Sequence, residues 1–331
     1  PHRLTRKNLL LLPKPFRIFV NPAPSGPHAF NPKGPNSMIS TTDLIRNADG
    51  SVYHLGLHAE HLADTVLLVG DPERVAQVSR HWDNIEFSQH RREFVTHTGT
   101  YQGQRLTVMS TGIGTDNIDI VLHELDALCK VNLEEMTLLE RPRSLTLVRI
   151  GTAGCLQPHR SEGTLMLSYA ALAFDGLMQH YRLPQTDFET QLAKAASRHL
   201  YGENAPAQPT AVLADQGLLE HFRNCGFEEG LNWTCAGFYG PQGRNLLGRS
   251  AYPDLLDQAV SFGFSDHQKI HQITHLEMET SGIYGLSRLM GHRAISVSAL
   301  LAHRYHHRFV ENPQEIIEDC ILQVLRALPQ R

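Results

Sequence analysis

Thr65-Val66-Leu67-Leu68-Val69-Gly70-Asp71-Pro72-Glu73-Arg74 is the stretch that decides the fold. Thr65–Val69 is an apolar run of strand length, closed by a glycine, which reads as a strand buried on both faces. Glu73–His81 then carries a helical pattern, and a strand running into a helix is the unit of an α/β chain. Further runs of the same kind lie at Leu145–Ile150, Thr164–Ala173, Thr210–Ala214 and Ala294–Leu301. Helices are expected over Asp116–Lys130, where Ile118, Val121, Leu122, Leu125 and Leu128 share a face, and over Glu189–His199, Met278–Met290 and Pro313–Leu328, the last with proline in its first turn. Phe94–Ser110 reads as a hairpin turning at Gln102-Gly103. The alternation predicts a single-domain, three-layer α/β/α fold with a mixed, largely parallel central sheet. Ligands in such folds sit beyond the C-terminal ends of strands, where Gly70, Gly151 and Ala302 are expected.

The composition allows this fold. With 331 residues, 41% of them hydrophobic, the chain can bury a full core. The net charge of −4 is spread, and without a basic stripe nucleic acid is not an expected partner. No apolar run approaches the roughly 18 residues of a membrane span. The five cysteines are scattered, with no C-x-x-C, so free thiols in a reducing, cytoplasmic setting are expected. Residues 1–42 stand apart: they hold Arg3, Arg6, Lys7, Lys14, Arg17 and Lys33, many prolines and no acid. They read as a basic, disordered leader, either a targeting segment or an extension upstream of a start at Met38, with a catalytic domain over 43–331.

Three distant segments converge on one chemistry. Gly70-Asp71-Pro72-Glu73-Arg74 and Arg149-Ile150-Gly151-Thr152-Ala153-Gly154 each set glycines beside an arginine, so that backbone N–H groups and a guanidinium can close on a small oxyanion. Arg74 falls one turn into its helix, near the positive end of the dipole, and Thr152 adds a hydroxyl. Glu277-Met278-Glu279 sets two carboxylates around a methionine, which suits hydroxyl groups beside an apolar ring. An oxyanion site next to a polyol site suggests an enzyme that joins or splits phosphate and sugar.

These segments, together with Val52-Tyr53-His54-Leu55-Gly56-Leu57, His90-Arg91-Arg92-Glu93-Phe94, Ser110-Thr111-Gly112-Ile113-Gly114 and Phe238-Tyr239-Gly240-Pro241-Gln242-Gly243-Arg244, resemble the nucleoside phosphorylase family, and its uridine branch most closely. The resemblance runs from about Val52 to Ala327. It implies that Gly70, Arg74, Arg149 and Thr152 bind phosphate, and that Arg92 joins them from a neighbouring subunit. It implies that Glu279 and Met278 hold the ribose and that His54 reaches the 5′-hydroxyl across a dimer interface. For the base it implies Gln242 pairing with O2 and N3–H of uracil, Arg244 donating to O4, Phe238 stacking on the ring, Arg304 supporting Arg244, and Glu277 beside the ring, acting mainly through its backbone. In the purine branch an aspartate protonates the leaving base; Ala302 falls at that position. The expected reaction is reversible phosphorolysis of uridine by a homo-oligomer, with inorganic phosphate as co-substrate and no organic cofactor.

The alternatives are a purine phosphorylase, a hydrolytic nucleosidase on the same fold, which would have no use for three phosphate arginines, and a nucleoside-binding protein without turnover. His292, His303, His306 and His307 lie close in sequence, but Arg304 and Arg308 interleave with them and repel cations, so no metal is expected. Some members of the family hold a monovalent cation at the dimer interface through the glutamate that matches Glu93. Gly114-Thr115-Asp116-Asn117 departs from their Gly-x-Pro-Ser, which counts against that cation here.

Overall fold

The computed structural model describes residues 38–329 except 204, 206, 207 and 267. Most of the expected leader, residues 1–37, therefore lies outside the described residues. From Met38 the chain is tied to the body: the Ile39 N–H donates to Met136 O at 2.7 Å, and Ser40 O accepts from the N–H groups of Asp43 and Leu44.

Eleven strands form one sheet. They are β1 (Thr65–Val69), β2 (Asn84–Arg91), β3 (Phe94–Tyr101), β4 (Gln104–Ser110), β5 (Thr146–Cys155), β6 (Leu165–Ala173), β7 (Thr210–Leu213), β8 (Glu228–Thr234), β9 (Ile273–Glu277), β10 (Arg293–His303) and β11 (Arg308–Phe309). The α-helices among the described residues are α1 (Pro72–Ser79), α2 (Thr115–Lys130), α3 (Asp187–Tyr201), α4 (Gln216–Asn224), α5 (Leu255–Ser261), α6 (Thr280–Leu289) and α7 (Pro313–Arg326). β4, β1, β5 and β10 run parallel in that order. β2 and β3 extend the β4 edge as an antiparallel meander. Beyond β10 the sheet continues through β6, β8 and β9, and β9 pairs back antiparallel onto the end of β5. The sheet is thus mixed, as expected, and curls on itself between β5 and β10.

The apolar runs explain the centre. All five residues of β1 are buried, as a strand covered on both faces requires. One core packs β1, β4, β5 and β10 against α1, α2 and α7; a second lies under α3 and α5 and is built around Trp233, Phe262 and Leu192. Caps fix the helix starts. Asp71 accepts from the Glu73 N–H at the head of α1, and Thr186 with Glu189 forms a reciprocal capping box at the head of α3.

Two expectations are corrected. Gly151-Thr152-Ala153-Gly154 is not a turn after a strand: β5 runs through it to Cys155, paired with Ser298, Ala299, Leu300 and Ala302 of β10, with a register shift at Leu301. Glycines signal a turn only where the backbone needs positive φ, and neither Gly151 nor Gly154 has it. Ala302 likewise lies inside β10 rather than beyond its end. Strands β2, β8 and β9 and helices α4 and α5 were not expected from the sequence.

Candidate active site

A cavity of about 780 Å³ opens beyond the ends of β1 and β4 and against residues within β5 and β10. Ten of the thirteen residues expected to bind phosphate, ribose or base line it: Gly70, Arg74, Arg149, Thr152, Phe238, Gln242, Arg244, Glu277, Met278 and Glu279. His54, Arg92 and Arg304 do not.

The cationic end is built on β5 and α1. Arg149 is buried on β5, and Gly151, two residues on along the same face, gives its side chain room; a β-carbon at 151 would overlap the guanidinium. Nη1 donates to Ser298 Oγ on β10 at 3.1 Å. Nη2 lies 2.5 Å from Glu279 Oε2 and 3.0 Å from Glu277 Oε2. Burial works against the charge of Arg149, but the two carboxylates outweigh it and raise its pKa. Arg74 reaches the same end from α1. Burial lowers its pKa and the charge of Arg149 adds to that, while Asp71 opposes. Its buried Nε has no hydrogen-bond acceptor among the described residues. The Arg149 charge depresses the Arg74 pKa, and Arg74 keeps an unsatisfied donor, so this end suits an anion.

The two glutamates have different work. Glu277 Oε1 accepts from Thr234 Oγ1 at 2.9 Å, and Oε2 from the N–H groups of Glu279 and Thr280 at 2.9 and 3.0 Å. It is the anion at the head of α6. Burial acts to raise its pKa, but Arg149 and these donors hold it below the ordinary value. Its backbone oxygen accepts from the Cys235 N–H. Both groups of Glu277 therefore take part in holding the fold. Glu279 takes one bond from the Gly114 N–H at 2.8 Å and one from Arg149, and burial followed by the neighbouring Glu277 charge keeps its pKa raised despite Arg149. Met278 lies between them, half-buried and facing the cavity.

The opposite end is the loop before α5. The Arg244 guanidinium lies 3.7 Å from the centre of the Phe238 ring and donates to Gln242 Oε1 and to Phe238 O. This leaves the Gln242 Nε2 as a donor with a fixed direction. Burial, reinforced by the charge of Arg304, brings the Arg244 pKa down to about 10. Arg304 donates to the backbone oxygen of Gln242 at 3.1 Å, and Gly154 makes room for its stem, since a β-carbon there would lie 3.1 Å from Arg304 Cγ. Arg304 thus holds the Gln242 segment itself. Leu301, Ala302, Ala153 and Phe309 complete an apolar wall.

His54 and Arg92 lie together elsewhere. Tyr53 gathers them: its ring is 4.9 Å from the His54 ring, and the Arg92 guanidinium stands 5.6 Å from it. Arg91 stands over the same ring at 5.7 Å, and the two arginines differ in their other surroundings. Arg91 donates to Asn47 Oδ1 at 2.9 Å, while Arg92 sits exposed in the two-residue turn between β2 and β3, at φ 54°. The sequence reading missed Tyr53, Ser298 and the Gly114 N–H. Tyr53 and Gly114 lie inside quoted motifs; nothing around Ser298 marked it. Among the described residues no three His, Cys, Asp or Glu side chains gather as metal ligands.

A uridine phosphorylase of Thermococcus kodakarensis is 29% identical over 261 residues, 79% of this chain and 80% of its own length. A DeoD-type purine nucleoside phosphorylase of Listeria monocytogenes is 25% identical over 280 residues, 83% of this chain and 97% of its own. A Trypanosoma brucei nucleoside phosphorylase, whose crystal structure is described as showing uridine phosphorylase activity, superposes with a TM-score of 0.79 at 27% identity, covering 86% of this chain and 99% of that one. The model of the phosphorylase superfamily matches residues 64–328, from the strand that feeds the anion end to the last helix, and the chain belongs to that superfamily.

Proposed function

We propose that this chain is a uridine phosphorylase, which converts uridine and inorganic phosphate to uracil and α-ribose 1-phosphate. The observation that carries the reading is the Gln242–Arg244 pair, locked together over Phe238 and anchored by Arg304. A leaving uracil spreads its charge over O2 and O4, so an amide and a guanidinium in fixed directions stabilise it without a protonating acid. Phosphate is placed at Gly70, Arg74, Arg149 and Thr152, and the ribose hydroxyls on Glu279 against Met278. As the glycosidic bond stretches, positive charge grows on the sugar; the bound phosphate faces it and attacks C1′ while the base departs. No covalent enzyme intermediate is needed.

The purine reading has the Listeria relative behind it, but Phe238, Gln242, Arg244, Leu301 and Ala302 include no acid to protonate a purine. His54 and Arg92, gathered outside their own cavity, fit a homo-oligomer in which each subunit completes the site of another. Five free cysteines support a reducing compartment, the cytoplasm. The test is uracil release followed by ultraviolet absorbance with and without phosphate. Strict phosphate dependence is expected, and equal cleavage in phosphate-free buffer would make the chain a hydrolase.

A further inference from the structure

The His54 imidazole is held by a buried glutamate of α2. Glu124 is 7% exposed, and its carboxylate is wrapped by the loop that carries the histidine. Oε2 accepts from the N–H groups of His54 and Leu55 at 3.0 and 2.8 Å. Oε1 accepts from the His54 N–H at 2.9 Å and faces His54 Nδ1 at 2.6 Å. A carboxylate can only accept, so in the neutral ring the proton sits on Nδ1 and Nε2 keeps its lone pair. No hydrogen bond within the chain engages Nε2 among the described residues, and the side chain is 27% exposed.

We propose that Glu124 is a positioning residue that fixes His54 in the Nδ1–H tautomer, so that Nε2 presents a hydrogen-bond acceptor to the substrate. The inference rests on the uridine phosphorylase reading, in which His54 meets the sugar 5′ position in the neighbouring subunit, and it deepens that reading. An acceptor selects a 5′ group that can donate, a hydroxyl. It gains nothing from a 5′-deoxy sugar, and with Glu124 behind it, it disfavours a 5′-phosphate. The substrate class is then the free nucleoside rather than the nucleotide.

Glu124→Gln tests this directly. The His54 N–H is shared by both oxygens and the Leu55 N–H faces Oε2 alone, so the amide oxygen takes the Oε2 side and the amide nitrogen the Oε1 side, where it donates to Nδ1 and moves the ring proton to Nε2. Nitrogen-15 spectra of histidine-labelled protein read the tautomer, with the His54 signal identified by its loss in His54→Gln. Wild type should show Nδ1–H and Glu124→Gln should show Nε2–H. A wild-type ring protonated on Nε2 overturns the proposal whether or not the variant folds. In turnover, kcat/KM for uridine should fall about five- to tenfold in Glu124→Gln, while 5′-deoxyuridine changes less than about twofold. An equal fall on both substrates makes Glu124 a purely structural anchor and overturns the proposal. A wild-type protein that cleaves neither nucleoside defeats the uridine reading instead, and leaves the tautomer to be decided by the spectra.

Discussion

Arg149 and Glu279 hold each other inside the cavity, Nη2 of the first 2.5 Å from Oε2 of the second. The reading above gives them different substrates, phosphate to the arginine and ribose to the glutamate. Each is buried, and the pair keeps both charges compensated within the protein. Arg149→Ala should therefore do two things. It strands Glu277 and Glu279 as buried acids, which costs about 3–5 kcal/mol when one partner of such a pair is removed. It also removes the main phosphate contact, so kcat/KM for phosphate should fall by about 10²-fold or more. Thermal unfolding and phosphate saturation measure the two effects; an unchanged phosphate KM would remove Arg149 from the phosphate site.

Gly151→Ala should reproduce much of the second effect and, by drawing the guanidinium away from the two glutamates, part of the first. The new methyl group overlaps the place where the Arg149 guanidinium lies and forces it off Ser298 and Glu279. A displacement of this order is worth about 10²-fold in rate. The contrast to look for is a large rise in the phosphate requirement with far-ultraviolet circular dichroism unchanged. Wild-type kinetics in the variant would mean that the arginine has another place to lie.

What could be read in the sequence, and what could not, follows from the same residues. The buried strand Thr65–Val69 and the amphipathic helix Thr115–Lys130 were legible because a run and a 3.6-residue period depend on local sequence alone. The glycines at 151 and 154 were legible as important but misread as a turn, because their purpose is to seat Arg149 and Arg304, and a side chain lying across a strand leaves no local signal. β8 and β9 went unseen because polar residues with tertiary partners interrupt them: Asn232 and Thr234 in one, Thr274, His275 and Glu277 in the other. Glu277 shows the same limit in the site. Its residue type suits a substrate contact, and only the fold reveals that α6 and Arg149 have taken its carboxylate.

His275 makes stability acid-sensitive. It is fully buried, with Nε2 2.9 Å from Ser168 Oγ and Nδ1 2.8 Å from Thr274 Oγ1. Burial brings its pKa from 6.5 down to about 3. The unfolded chain then binds a proton that the native chain refuses, so this contribution is fully present above pH 6.5 and is lost as the pH falls toward 3. Between pH 6.5 and 5 the loss is about 2 kcal/mol. Urea unfolding at the two pH values should show it in the wild type and not in His275→Gln. An equal drop in both proteins assigns the sensitivity to other groups.

The Tyr53 cluster predicts shared sites. If His54 and Arg92 serve a neighbouring cavity, Arg92→Ala and Arg149→Ala are defects in different halves of one site. Mixing the two inactive proteins under conditions of subunit exchange should return activity, up to about one quarter of the sites in a dimer with random exchange. Sedimentation fixes the assembly in parallel. A fully active monomer, or no recovery after proven exchange, would return both residues to ordinary surface roles.

The last prediction concerns the base. Arg244 occupies one side of Gln242 Oε1 and Arg304 holds the Gln242 backbone, so the amide cannot turn to suit a different edge. Uracil offers an acceptor at O2, a donor at N3 and an acceptor at O4, which match the Gln242 Nε2, the remaining lone pair of Oε1, and the Arg244 guanidinium. Cytosine places a 4-amino group against the guanidinium, donor to donor, and cytidine should fail. Inosine and adenosine leave the pair unmatched, and a buried polar site without its partner can discriminate by about 10⁴-fold. Gln242→Ala should lose uridine turnover and keep the wild-type far-ultraviolet circular dichroism, because the buried Gln242 side chain is hydrogen-bonded to Arg244 rather than to a strand or helix of the sheet. Comparable kcat/KM for inosine and uridine in the wild-type protein would defeat this assignment and move the chain to the purine branch.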